Sequence, residues 1–140
     1  MKRPTEAQAN LRHYAEKLDA LVARLQGKGI RVALCTATVI SEDLRAESNV
    51  LLAAYNDAVR GVARKRTCLL IDVSRTFIQA LADLHARDAF EPRYLTRDGV
   101  HLSSAGNRLF ALAVLNAFGF RESVPADEVK RDSSFAKAYK

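Results

Sequence analysis

Gly29-Ile30-Arg31-Val32-Ala33-Leu34-Cys35-Thr36 is a short, almost uninterrupted apolar run that begins at a glycine. A strand covered on both faces reads this way, because neither set of its alternating side chains meets water. Thr67-Cys68-Leu69-Leu70-Ile71-Asp72-Val73 repeats the pattern. Between the two runs, Leu44 to Arg64 carries Leu51, Leu52, Tyr55, Val59 and Val62 on one side, the spacing of an amphipathic helix. Two buried-type strands joined by a helix predict a parallel pair, and that reading decides the fold class.

Further helices flank this unit. Thr5-Glu6-Ala7-Gln8 has the form of a capping box, with Thr5 as N-cap and Gln8 reaching back to it. Leu11, Ala15, Leu18, Leu21, Val22 and Leu25 follow as an apolar stripe, which Gly27 and Gly29 end. Phe77, Ile78, Leu81 and Leu84 mark a third helix that stops before Phe90. Ser103 is the expected N-cap of a fourth, with Leu109, Phe110, Ala113, Val114 and Ala117 on its core side. The predicted architecture is α/β, a flavodoxin-like three-layer α/β/α arrangement with a parallel sheet, two clear strands and about four helices. Such sheets usually have about five or six strands, and two would leave an apolar edge uncovered. Residues 5–119 are therefore expected to be part of a larger domain. Residues 120–140, polar and aperiodic, are expected to be a loosely ordered extension.

The 140 residues, 49% hydrophobic and 27% charged, suit one globular domain. No run of about 18 apolar residues exists, so no transmembrane helix is predicted. Met1-Lys2-Arg3-Pro4 leads into no apolar stretch, so it is not a signal peptide, and the chain as written is expected to be cytoplasmic. Cys35 and Cys68 read as buried free thiols and have no metal-ligand spacing. The net charge of +6 is scattered. Its one tight cluster, Arg64-Lys65-Arg66, falls where cations complement a helix C-terminus. Aromatic residues are 7% and are not interleaved with basic ones, so a nucleic-acid surface is not expected.

The residues able to do chemistry lie in Arg97-Asp98-Gly99-Val100-His101-Leu102-Ser103. A carboxylate near a histidine can fix its tautomer and stabilise the imidazolium, which makes the histidine a general base. The spacing alone leaves two readings open. Asp98 and His101 could be a base and its orienter, or a surface turn in which Asp98 caps backbone amides. His13 and His85 read as solvated helix residues, although His85-Ala86-Arg87-Asp88 repeats the spacing.

The stretch Tyr94-Leu95-Thr96-Arg97-Asp98-Gly99-Val100-His101-Leu102-Ser103-Ser104-Ala105-Gly106-Asn107 resembles the final signature of the SGNH (GDSL-type) hydrolase family. Gly29 to Thr38 is similar to that family's fourth strand and the loop after it. Asn49 through Tyr55-Asn56, and then Leu70-Ile71-Asp72-Val73, are similar to its next helix and fifth strand. The resemblance spans about Thr5 to Phe118 and implies that residues 5–119 are the C-terminal part of a domain of that family. It implies that Asp98 and His101 are catalytic in the cleavage of acyl esters through an acyl-serine, with no cofactor and no metal.

The departures bear on activity. The family's Gly-Asp-Ser, the glycine of its second signature and its Gly-x-Asn-Asp are absent, as though the chain were truncated before them. Ala37 stands where proline is common. Ser41, Ser48 and Ser74 sit on no sharp strand-to-helix turn, and Ser103 and Ser104 read as helix caps. The chain alone is therefore expected to be inactive, with a complementing N-terminal fragment as its natural partner. The alternative is a non-catalytic module that pairs with a partner, or with itself as a homodimer, through an exposed sheet edge.

Overall fold

A computed structural model describes residues 5–86 and 93–120. The helix α1 (Glu6–Gln26) leads into β1 (Ala33–Cys35), α2 (Glu47–Arg66), β2 (Leu69–Ile71), α3 (Val73–Ala86) and α4 (Ser104–Ala117). The two strands pair in parallel, Ala33 opposite Leu69 and Cys35 opposite Ile71. The predicted α/β class, parallel sheet and four helices are all present. The expected extension, the stop before Phe90 and the Asp88 half of the His85–Asp88 spacing fall outside the described residues.

Local signals placed the helix ends. Thr5 caps α1, accepting from the Gln8 amide at 3.3 Å, while its own amide donates to the Gln8 side chain at 2.9 Å. Ser103 caps α4, accepting from the Gly106 amide at 3.1 Å. One helix begins earlier than its apolar spacing suggests: α3 starts at Val73, directly after β2. The Asp72 carboxylate accepts from the Arg75 amide at 3.3 Å, the type of bond that starts a helix.

The helices form two pairs. The helices α1 and α2 pack together, and Val22 of α1 and Val59, Val62 and Ala63 of α2 are buried. Tyr14 and Tyr55 meet edge to face across that seam, with centroids 5.1 Å apart. At its C-terminal end, the Asp19 carboxylate takes Arg66 through two bonds of 2.6 and 2.7 Å and Lys65 at 2.9 Å. Two members of the basic cluster are thus engaged within the fold. The main core lies elsewhere, where Ile71, Val73, Phe77 and Leu81 pack with Ala113 of α4 and with Val39 and Leu95 from loops.

The strands differ from expectation. Each is three residues long, and Ala33 and Cys35 of β1 and Leu69 of β2 are exposed. An apolar run states that a segment can be buried, whereas the cover must come from other elements. Among the described residues that cover is partial. Cys35 is free, as expected, but exposed rather than buried. Leu21 and Leu51, read as helix-face core residues, are 53% and 50% exposed.

Candidate active site

Leu95 and Leu102 hold the two ends of the Asp98–His101 segment in the core. Between them the chain closes on itself. Thr96 and Leu102 form an antiparallel bridge, the Arg97 amide donates to the His101 carbonyl at 2.8 Å, and the Ser103 amide donates to the Leu95 carbonyl at 2.9 Å. Gly99 turns the tip with φ +94°, a conformation that costs glycine nothing. Gly106 lets α4 lie against this turn, because a Cβ there would sit 2.1 Å from the Leu95 carbonyl oxygen.

This frame brings the two predicted residues together. His101 Nδ1 lies 2.6 Å from Asp98 Oδ2. The other carboxylate oxygen accepts from the Val100 amide at 3.0 Å and the His101 amide at 2.8 Å. Asp98 thus caps backbone amides with one oxygen and engages the imidazole with the other. The His101 amide and ring and the Val100 amide hold the Asp98 carboxyl well below the usual carboxylate range. An ionised Asp98 favours the tautomer with its proton on Nδ1, which leaves a lone pair on Nε2 of an imidazole that is 72% exposed.

Beside the turn is a cleft of about 660 Å³, lined by Ser41, Glu42, Asp98 and Gly99 together with Arg45 and Arg93. Among the described residues no serine hydroxyl is hydrogen-bonded to His101. Ser74 is buried with its amide on the Thr36 hydroxyl, and Ser103 donates to the Tyr94 carbonyl at 2.7 Å while capping α4. No cluster of three His, Cys, Asp or Glu side chains able to hold a metal occurs among the described residues, and no helix there is long and apolar enough to cross a membrane.

Four polar residues of these loops and of α2 were not singled out as functional from sequence. Glu42 is 1% exposed and accepts from the backbone at Leu95 and Thr96. Asn49 and Asn56, two turns apart on α2, brace the loop after β1: Asn49 bonds both backbone groups of Ile40, and Asn56 both of Ala37. Beyond the strand ends, Asp72 receives Arg60 through two bonds of 2.9 and 2.8 Å and the Thr36 hydroxyl at 3.1 Å. Only the Asn pair carried a sequence signal, a seven-residue spacing that returns to the same helix face.

The parallel strand pair with its helices defines an α/β protein. More particularly, the chain belongs to the GDSL-like lipase/acylhydrolase family, whose model matches residues 2–109. Among solved structures it is similar to LAE5, an alpha/beta hydrolase enzyme from the metagenome of Lake Arreo, Spain. Identity is 30% and the TM-score 0.67, over 81% of this chain and 49% of that one. It is similar to the acetyl xylan esterase AlAXEase at 32% identity and TM-score 0.66, over 76% of this chain and 55% of that one. Axe2, an acetylxylan esterase from Geobacillus stearothermophilus, matches at 25% identity and TM-score 0.68, over 79% and 48% of the two chains. The chain thus spans about half the length of the structures it matches. No curated protein matches the sequence.

Proposed function

We propose that these residues carry the acid–base half of a serine ester hydrolase, with Asp98 as orienter and His101 as general base and then acid. One observation carries the reading, the 2.6 Å contact of His101 Nδ1 with a carboxylate whose other oxygen is tied to two amides. A serine hydroxyl set against Nε2 would pass its proton to His101 as its oxygen attacks the ester carbonyl. His101 would return that proton to the departing alkoxide, and water would then free the acyl-serine by the same route. The similarity to acetyl xylan esterases supports small acyl groups, acetyl first.

The sequence contains no Gly-Asp-Ser, so this reading assigns the serine and the oxyanion donors to polypeptide beyond these 140 residues. Loss of one oxyanion donor alone typically costs about a hundred- to a thousandfold in rate. The isolated chain should hydrolyse p-nitrophenyl acetate no faster than its His101→Ala variant. Mixed with an N-terminal segment that bears Gly-Asp-Ser, it should gain turnover that His101→Ala lowers at least about a thousandfold. Reconstituted activity indifferent to His101 would refute the assignment.

A second reading draws on the sheet. Among the described residues β1 pairs with β2 alone, and Ile30 and Leu69 beside it are 48% and 36% exposed. Such an edge can add a strand from a partner or a second copy. Size-exclusion chromatography with light scattering should then show dimers of the isolated chain. A folded monomer at high micromolar concentration would remove this reading.

A further inference from the structure

We propose that Glu42 is the positioning residue of the Asp98–His101 pair: its buried carboxylate anchors the upstream side of the turn that aims the imidazole. The inference rests on reading that pair as orienter and base. Three donors converge on one oxygen of Glu42. They are the Leu95 amide at 2.9 Å, the Thr96 amide at 2.5 Å and the Thr96 hydroxyl at 2.6 Å. These bonds join segments more than fifty residues apart in sequence.

The neighbouring residue grips the other side of the same turn. The Ser41 amide donates to the Gly99 carbonyl at 2.7 Å. Ser41 and Glu42 both adopt left-handed backbone, φ +63° and +57°. Non-glycine residues rarely do so unless their surroundings enforce it. The enforcement comes from α2, where Asn49 and Asn56 fix the loop from Ala37 to Asp43. Support therefore runs in one line, from α2 through the loop to Ser41 and Glu42, and from them to both flanks of Asp98.

A carboxylate in this place is poorly explained as packing. The second oxygen of Glu42 has no partner among the described residues. A buried polar atom left so is costly, and an apolar side chain could fill the volume without that cost. Only the acceptor role toward residues 95 and 96 uses the carboxyl group. Those residues lead directly into Arg97 and Asp98, so a shift there displaces the carboxylate that holds His101.

The test reads the imidazole itself. In the 140-residue chain at about pH 9, above the ordinary imidazole range, the ring nitrogen shifts of His101 should report the Nδ1–H form. In Glu42→Ala these shifts should move toward the Nε2–H form that free imidazole prefers. Exchange at the Val100 and His101 amides should quicken about tenfold while α1 and α2 amides stay protected. Glu42→Gln, which keeps an acceptor oxygen, should retain most of the wild-type tautomer. A folded Glu42→Ala chain with unchanged tautomer and exchange would overturn the proposal. If that variant does not fold, Thr96→Val removes one of the three donors and should shift the same signals partway; no shift there is equally decisive against it. Because the readout is not turnover, its outcome is separate from whether a reconstituted protein cleaves esters.

Discussion

At the scale of single residues, the site depends on places where one atom more or less cannot be absorbed. Gly106 is the sharpest. An added Cβ would meet the Leu95 carbonyl oxygen at 2.1 Å, and that oxygen already accepts from the Ser103 amide. Either α4 or the Asp98–His101 turn must then move. Gly106→Ala should cost about 3 kcal/mol, read as a lower urea midpoint with an unchanged slope. A midpoint at the wild-type value would show that α4 does not press on the turn. Asp98 and His101 were legible because their helical context resembles a known signature. Glu42 was not, since an acidic residue in a polar loop reads as solvated until the partner loop is seen folding over it. Cys35 misled for the opposite reason: its neighbours in sequence are apolar, while its neighbours in space leave it open.

At the scale of elements, the ends of β1 and β2 are joined to α2 by one ion pair. Arg60 binds Asp72 through two nitrogens, with the two side chains 22% and 23% exposed. Arg60, then the Arg75 amide and the Thr36 hydroxyl, lower the Asp72 carboxyl against the upward push of its partial burial. A carboxyl lowered in the folded state stabilises the fold above its unfolded pKa. That contribution fades as pH falls from about 4 toward the folded value. Asp72→Asn should therefore cost about 2 kcal/mol at pH 7, discounted from a fully buried pair because this one meets solvent. The deficit relative to wild type should shrink by pH 3. Urea unfolding at the two pH values checks both statements, and a deficit that persists undiminished at pH 3 would place the stabilisation elsewhere than in this charge. Helix ends were legible at this scale, because Thr5 and Ser103 cap through bonds that span three residues. The start of α3 was missed because its cap, Asp72, also ends a strand.

At the scale of the whole molecule, the two helix pairs and the short parallel sheet place the Asp–His turn at the N-terminus of α4. Its ends lie in the core and its chemistry lies at the surface. The order of strands and helices, the caps at Thr5 and Ser103, the parallel pairing and the closeness of Asp98 to His101 were determined by the sequence alone. They follow from periodicity and from contacts a few residues long. Only the tertiary structure decided which apolar faces are covered, and how Glu42, Asn49, Asn56 and Asp72 are used. Those depend on atoms separated by as many as 54 residues meeting within hydrogen-bonding distance. A buried polar group advertises its partner only when both have arrived.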